Sequence, residues 1–181
     1  MTEIDQIINH LTLDEKISLL SGFNSWYTNK IDQKNIPSIK MSDGPNGVRG
    51  DSNSGKSSAC FPCAISIGST WDLELIKKIG VALGEEAQAK DVDVLLGPTI
   101  NIHRHPLGGR HFESFSEDPF LTGKIATNYV QGVQSQDVAA CLKHFVGNDT
   151  EYERHSISSN IDEQTLREIY LLPFEMGVKQ G

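Results

Sequence analysis

The sequence predicts a parallel α/β fold, specifically a partial (β/α)8 TIM-type barrel that comprises roughly the first half of such a barrel. Short apolar stretches rich in β-branched residues alternate with helical patterns, which is typical of a parallel sheet. Three of these stretches end at polar segments, as barrel strands do where they reach a binding site. A complete barrel needs about 250 residues, whereas this chain has 181 and four predicted strands. We therefore expect a single incomplete barrel domain over residues 1–181.

The N-terminal part of the chain is predicted to contain a capped helix, two strands and a long loop. Thr12 and Glu15 form a capping box, in which each side chain bonds to the backbone N–H of the other residue. Residues 37–43 predict the first strand, and residues 44–60, rich in Gly, Ser and Asn, predict a loop. Residues 64–68 contain two isoleucines and predict a second, brief strand.

The rest of the chain is predicted to alternate helices and strands. The elements are, in order, a helix capped by Asp72 and ending near Lys90, a strand over 92–97, a polar loop over 98–115, a helix capped by Ser116, a strand over 138–142, and a helix opening at Asp162. Apolar residues recur at helical spacing in each predicted helix. Pro173 predicts a kink in the last helix, because proline lacks a backbone N–H.

Composition excludes several functional classes. The formal net charge is −8, whereas nucleic acids and anionic membranes bind basic surfaces. No apolar run approaches the roughly 20 residues that span a bilayer. The first residues are acidic and contain no apolar signal segment, so we expect a cytoplasmic location.

Residues 50–57 match the phosphate-loop pattern G-x-x-x-x-G-K-S. That motif binds phosphates only when a buried strand precedes it directly and a helix follows it directly. Here a turn-forming segment, residues 43–47, precedes it, and residues 58–62 do not begin a helix. We therefore favour a solvated loop over nucleotide binding.

Cysteines and histidines provide two further candidate sites. Cys60 and Cys63 have the C-x-x-C spacing, but Cys141 is isolated, so a four-cysteine zinc site is impossible. A redox pair would need a helix N-terminus, and the predicted strand over residues 64–68 favours two buried thiols instead. The histidine-rich stretch 103–111 also contains two arginines, which disfavour a cation, so we expect no metal and no cofactor.

Four charged or polar side chains lie at predicted strand ends. They are Asp43, Arg110, Lys143 and His144. Because the carboxyl ends of parallel strands converge, these side chains are expected to surround one pocket as hydrogen-bond partners of a polyhydroxylated substrate. Each has a simpler interpretation by itself.

Asp43 could stabilise the following turn, and Arg110 could pair with Glu113 or Asp118. Lys143 could lie on the surface beside a packed His144.

Several linked motifs resemble the N-terminal barrel domain of family 3 glycoside hydrolases, especially the β-glucosidases. The matching stretches are Ser42-Asp43-Gly44-Pro45-Asn46-Gly47-Val48-Arg49-Gly50, residues 96–104, residues 109–119, Lys143-His144-Phe145 and Leu166-Arg167-Glu168-Ile169-Tyr170. The resemblance runs from about Leu11 to the end of the chain.

The resemblance implies roles for five residues. Asp43 would accept hydrogen bonds from the outer hydroxyls of a glucose in the −1 subsite, with Arg49 holding its carboxylate. Arg110, Lys143 and His144 would bind the ring hydroxyls. An aspartate at position 43 favours a sugar with a 6-hydroxymethyl group, although a β-xylosidase-like glycosidase of the same family stays an alternative.

The resemblance also implies what this sequence lacks. Retaining glycosidases use two carboxyl groups, a nucleophile and an acid/base. In the family the nucleophilic aspartate follows a later strand in a Ser-Asp-Trp-like motif, which does not occur here, and the acid/base belongs to a following domain. We therefore expect this chain to supply the sugar-binding half of an active site and to be inactive alone. The rest of the barrel and a following domain would complete the site. The full-length protein could form a homo-oligomer. The alternative is a non-catalytic sugar-binding module.

Overall fold

The computed structural model describes residues 2–50 and 56–181, which form a parallel three-stranded sheet with helices packed beside it. The strands are β1 (Met41–Asp43), β2 (Val94–Leu96) and β3 (Ala139–Ala140), in the order β1-β2-β3. Asp43 lies opposite Leu96 across the first pair, and Leu95 lies opposite Ala140 across the second. All three carboxyl ends therefore lie at one edge of the sheet.

Helices account for most of the regular structure. The α-helices are α1 (Glu3–Asn9), α2 (Leu13–Leu19), α3 (Ala64–Gly68), α4 (Leu73–Ala89), α5 (Pro119–Gln134), α6 (Glu163–Thr165) and α7 (Leu172–Gln180). Helix α5 packs against both α4 and α7, and the shared core includes Ile76, Leu83 and Tyr129. Among the described residues, none of these helices is both long and apolar enough to cross a membrane.

The predicted strand over residues 64–68 is wrong, because this segment is helix α3. Ala64, Ile67 and Gly68 are buried on one side of it, at the spacing of a helix face. A Cβ atom at Gly68 would lie 2.6 Å from the carbonyl oxygen of Phe115, so this helix lies tightly against the loop that precedes α5. Tertiary packing overrides the strand propensity of the two isoleucines, and the sheet has three described strands instead of four.

Most predicted caps are confirmed, and one is wrong. Asp72 and Asp162 cap α4 and α6 by accepting hydrogen bonds from backbone N–H groups. The N-cap of α5 is Asp118, which accepts from the N–H of Leu121 at 2.6 Å. Ser116 instead accepts from the N–H of Asp118 at 3.0 Å. The Ser116 hydroxyl thus binds the capping residue and not the helix itself, because the helix begins at Pro119.

The last predicted helix is interrupted near Pro173, as expected. A π-helical turn spans Leu166–Tyr170, and α7 then begins at Leu172 with Pro173 in its first turn. The first turn tolerates proline because its N–H groups have no partner within the helix. The other three predicted strands are present but shorter than their apolar stretches.

Two glycines allow helices α4 and α5 to approach closely. A Cβ atom at Gly80 would lie 2.5 Å from the carbonyl oxygen of Tyr129, and one at Gly132 would lie 2.3 Å from that of Lys77. Both distances are shorter than any tolerated contact, and both partners are backbone atoms that cannot move independently. This crossing fixes α4 relative to the sheet.

We predict that Gly80→Ala lowers the free energy of unfolding by about 2 kcal/mol. The added methyl group overpacks the crossing, a change that costs about 1–3 kcal/mol and exceeds the roughly 1 kcal/mol gained from the better helix propensity of alanine. Urea unfolding followed by circular dichroism measures the change. Lys78→Ala, on the exposed side of the same helix, serves as the control and should alter stability by less than about 0.5 kcal/mol. A Gly80→Ala variant as stable as the unaltered chain would contradict the close crossing.

Candidate functional site

The loops that follow the strands bring the predicted site residues together. Asp43 is the last residue of β1, and Lys143 lies three residues after β3. The backbone of Thr99, just beyond β2, forms bridges with both Ser114 and Lys143. Parallel pairing therefore continues past the regular strands and aligns the segments that carry the polar side chains.

Lys143 is the main partner of Asp43. Its Nζ lies 2.9 Å from Oδ1 of Asp43, and its side chain is only 15% exposed. Arg49 approaches the other carboxylate oxygen at 3.9 Å and is 72% exposed. An exposed ion pair at that distance contributes little, so Lys143 holds the carboxylate more firmly than Arg49 does.

The Asp43 carboxyl group has a lowered pKa. Burial by itself raises its pKa, but the hydrogen bond and the charge of Lys143 outweigh burial, and the charge of Arg49 adds to them. Because a depressed pKa keeps the group ionised down to acidic pH, Asp43 is a hydrogen-bond acceptor at neutral pH and cannot donate a proton.

Arg110 connects the remaining residues. Its Nε donates to Glu113, its Nη1 lies 3.2 Å from Glu151, and its Nη2 lies 3.2 Å from Nε2 of His144. Burial lowers the pKa of Arg110, but the two carboxylates outweigh burial and raise it. The alternative that Arg110 pairs with Glu113 is therefore correct, while Asp118 instead caps α5.

Hydrogen bonds define the tautomer of His144. Arginine only donates, so Nε2 of His144 accepts from Arg110, and Nδ1 donates to Oδ1 of Asn101 at 2.8 Å. Burial lowers the pKa of His144, and the charges of Arg110 and Lys143 lower it further. The ring is therefore neutral at neutral pH.

Sequence reasoning missed two of these partners and undervalued a third. Asn101, which is 7% exposed, lies in a stretch that carried the family resemblance, and that stretch was its only signal. Glu151 follows in a loop without a motif. Glu113 is predicted only as one of two possible partners of Arg110, and it is buried against that residue.

A cavity of 560 Å³ opens beside Asp43, Arg49 and Arg110, with Phe61 and Phe112 also in its wall. Arg110 also lines a much smaller polar cavity, and His144 is another residue in the wall of that cavity. Lys143 joins the set through Asp43. Asp43, Arg49 and Arg110 thus line one cavity, whereas Lys143 and His144 are joined to it only through their contacts with Asp43 and Arg110. The volume of the larger cavity is typical of small-molecule sites.

The cysteine pair differs from its prediction. Cys60 and Cys63 are exposed, not buried, and both line the larger cavity. Cys63 is the N-cap residue of α3, so a helix follows the pair and not a strand. The expected burial was wrong because residues 56–63 lie along the surface as irregular backbone.

The other candidate motifs support the loops. His103 bonds to the carbonyl oxygens of His111 and Ser114, each at 3.0 Å. Within residues 2–50 and 56–181, no group of three or more His, Cys, Asp or Glu is arranged to hold a metal ion. Five positions of the phosphate-loop pattern, 51–55, lie outside the described residues, and the next helix begins only at Ala64.

Comparison with known proteins identifies a family. The model of the glycosyl hydrolase family 3 N-terminal domain matches residues 3–181. A β-glucosidase of Rhizobium radiobacter is 56% identical over 180 residues, which are 98% of this chain and 22% of that protein. The chain thus spans about a fifth of the length of the curated relatives that it matches.

Solved structures agree. The β-glucosidase of Kluyveromyces marxianus in complex with glucose is similar with a TM-score of 0.94 and 47% identity, over 98% of this chain and 22% of that one. β-Glucosidase 3B of Thermotoga neapolitana in complex with glucose has a TM-score of 0.90 and 40% identity, over 99% and 28%. The predicted fold class is confirmed.

We predict that Arg110→Gln raises the pKa of His144. The substitution removes a positive charge 3.2 Å from Nε2, and that charge disfavours protonation of the ring. The depressed pKa of His144 contributes stability that is present above the ordinary value near 6.5 and is lost as pH falls through the folded value. Arg110→Gln should make that loss smaller and complete it at a higher pH, because the folded pKa moves toward the unfolded one.

An NMR titration of the His144 ring measures this effect. Arg167→Gln removes an exposed arginine that pairs with Glu163 and is the control, which should leave the titration unchanged. A His144 pKa that stays the same or falls in Arg110→Gln would contradict the proposed electrostatic coupling.

Proposed function

Because the chain belongs to glycosyl hydrolase family 3, we propose that it supplies the sugar-binding part of a retaining β-glucosidase active site. In this proposal the larger cavity is the −1 subsite, which holds a terminal β-D-glucosyl residue. The observation that carries the proposal is the ion pair of Asp43 and Lys143 at the carboxyl side of parallel strands, with Arg110 in the wall of the same cavity as Asp43. The β-glucosidase names of the relatives support the same choice of substrate.

The chemistry of the cluster suits a neutral, polyhydroxylated ligand. The ionised Asp43 accepts hydrogen bonds from hydroxyl groups, while Lys143 and Arg110 donate them. Hydrogen bonds to charged groups contribute about 1.5–3 kcal/mol, more than neutral ones. Because each of these charges already contacts an opposite charge, an uncharged sugar can bind without leaving any of them unpaired.

Bond cleavage needs groups that this cluster does not offer. A retaining glycosidase uses two carboxyl groups about 5–5.5 Å apart, one as nucleophile and one as acid/base. Asp43 is bound to Lys143 and has a lowered pKa, and Glu113 is bound to Arg110. We propose that the nucleophile and the acid/base come from parts of a longer protein corresponding to the relatives' remaining length.

We predict that the 181-residue chain by itself does not hydrolyse an aryl β-D-glucoside. Among the described residues, the cavity wall contains two carboxylates, Asp43 and Glu113, and each is already bound to a cation. Release of the aryl group, followed by absorbance, measures hydrolysis, with the Rhizobium radiobacter relative as the positive control. Hydrolysis activity that co-purifies with the chain would show that the cleaving groups have been misassigned.

We predict that Asp43→Ala lowers kcat/KM for the aryl glucoside by about 10²-fold or more, equivalent to about 3 kcal/mol. The assay uses a chimera in which residues 3–181 replace the matching segment of the Rhizobium radiobacter relative. The variant loses the acceptor for the outer hydroxyls and leaves Lys143 unpaired. Steady-state kinetics over a range of substrate concentrations give the ratio.

Asp14→Ala is the matched control, because Asp14 is an exposed aspartate in the first turn of α2, distant in sequence from the cluster. It should change kcat/KM by less than twofold. A change below threefold in Asp43→Ala would remove Asp43 from the subsite.

A further inference from the structure

A second ion pair lies behind the loop that follows β1. Glu86 and Lys90 are four residues apart at the C-terminal end of α4, with Nζ and Oε1 separated by 3.3 Å. Their side chains are only 14% and 3% exposed. A buried pair of this kind is costly to desolvate and needs further hydrogen bonds to compensate for that cost.

The Glu86 carboxylate binds two separate stretches of backbone. Its Oε2 accepts from the N–H of Val48 at 2.8 Å, and its Oε1 accepts from the N–H of Ala59 at 2.6 Å. These amides lie at the two arms of one loop, residues 44–50 and 58–61. One side chain of α4 therefore binds both arms at once.

Lys90 connects the same two arms. Its ammonium group donates to the carbonyl oxygen of Val48 and to Oγ of Ser58, the latter at 2.6 Å. The Ser58 hydroxyl in turn donates to the carbonyl oxygen of Val48 at 2.6 Å. The carboxylate of Glu86 and the ammonium group of Lys90 thus both form hydrogen bonds with the two arms.

The arms form one wall of the larger cavity. Arg49 follows Val48, and its backbone N–H donates to the carbonyl oxygen of Asp43 at 3.0 Å. Cys60, a lining residue, follows Ala59. A Cβ atom at Gly47 would lie 1.9 Å from the carbonyl oxygen of Ala59, so the arms touch through backbone atoms. A shift of either arm therefore changes the cavity.

We propose that Glu86 and Lys90 are positioning residues, which fix the two arms of the loop and thereby place Arg49 and the cavity wall beside Asp43. They touch no substrate themselves. This inference rests on the proposed function, because it assigns a role in sugar binding to the wall that they hold.

An ion pair at this place supports a role in positioning the loop more than a role in stabilising the fold. Replacing a buried ion pair by apolar residues of similar volume is often neutral or stabilising, whereas removing one partner leaves a buried charge. An apolar pair cannot bind the amides of Val48 and Ala59 or the hydroxyl of Ser58. What Glu86 and Lys90 add is therefore a defined geometry of the loop.

The kinetic test uses the chimera described above with Glu86→Gln, and with the double variant Glu86→Met and Lys90→Met. The single variant should raise KM about tenfold and change kcat by less than twofold, because a displaced wall weakens binding of the ground state and transition state alike. The double variant should melt within a few degrees of the unaltered chimera yet keep the high KM.

Two kinetic outcomes overturn the proposal. In the first, the double variant has both the KM and the melting temperature of the unaltered chimera, which would indicate a purely structural pair. In the second, Glu86→Gln leaves KM unchanged. Glu85→Gln, at the exposed neighbouring position, is the control and should leave both constants unchanged.

Hydrogen exchange separates this inference from the proposed function. In the 181-residue chain, Glu86→Gln should speed exchange of the Val48 and Ala59 amides by about tenfold, with no sugar present. Unchanged exchange would overturn the contacts themselves. If Asp43→Ala leaves kcat/KM unaltered while Glu86→Gln speeds exchange as expected, the proposed function is wrong. The conclusion that Glu86 fixes the loop is then still supported.

Discussion

The ion pair between Asp43 and Lys143 is the interaction on which the candidate site depends. It joins residues 100 positions apart, Asp43 at the end of β1 and Lys143 three residues beyond β3, across the central strand β2. Parallel pairing makes this possible, because it places both carboxyl ends at one edge of the sheet. The irregular pairing of Thr99 with Lys143 extends the alignment to the backbone of Lys143.

Electrostatic balance characterises the surroundings of that pair. Three carboxylates near the cavity contact cations, Asp43 through Lys143, and Glu113 and Glu151 through Arg110. His144 is neutral because its burial and its cationic neighbours lower its pKa. The cluster presents many donors and acceptors but no strongly uncompensated charge, which favours an uncharged ligand rich in hydroxyl groups.

The scaffold behind the cluster relies on backbone contacts. Gly80 and Gly132 let α4 and α5 meet closely, and α4 then presents Glu86 and Lys90 to the loop after β1. Helix packing, loop geometry and cavity shape are therefore linked through one helix. Close-packed interiors transmit small displacements, so residues that never reach the cavity can influence its shape.

Alternation of strands and helices, together with the linked motifs, determined the α/β class, the family and the identity of the five polar residues. The sequence could do this because periodicity and caps are local, and because motif order reflects the fold. It misassigned residues 64–68, where the packing of Gly68 against Phe115 outweighs strand propensity. It also expected buried cysteines, because exposure depends on neighbours distant along the chain.

Only the tertiary structure decided which partners the polar residues have. Asn101 is marked only by the motif stretch in which it lies and Glu151 by no motif, yet they orient His144 and Arg110. Lys143 is the nearer partner of Asp43 and Arg49 the more distant one, although Arg49 is much closer along the chain. The physical reason is that hydrogen bonds and ion pairs form across space at distances of about 3 Å, which no pattern along the chain specifies.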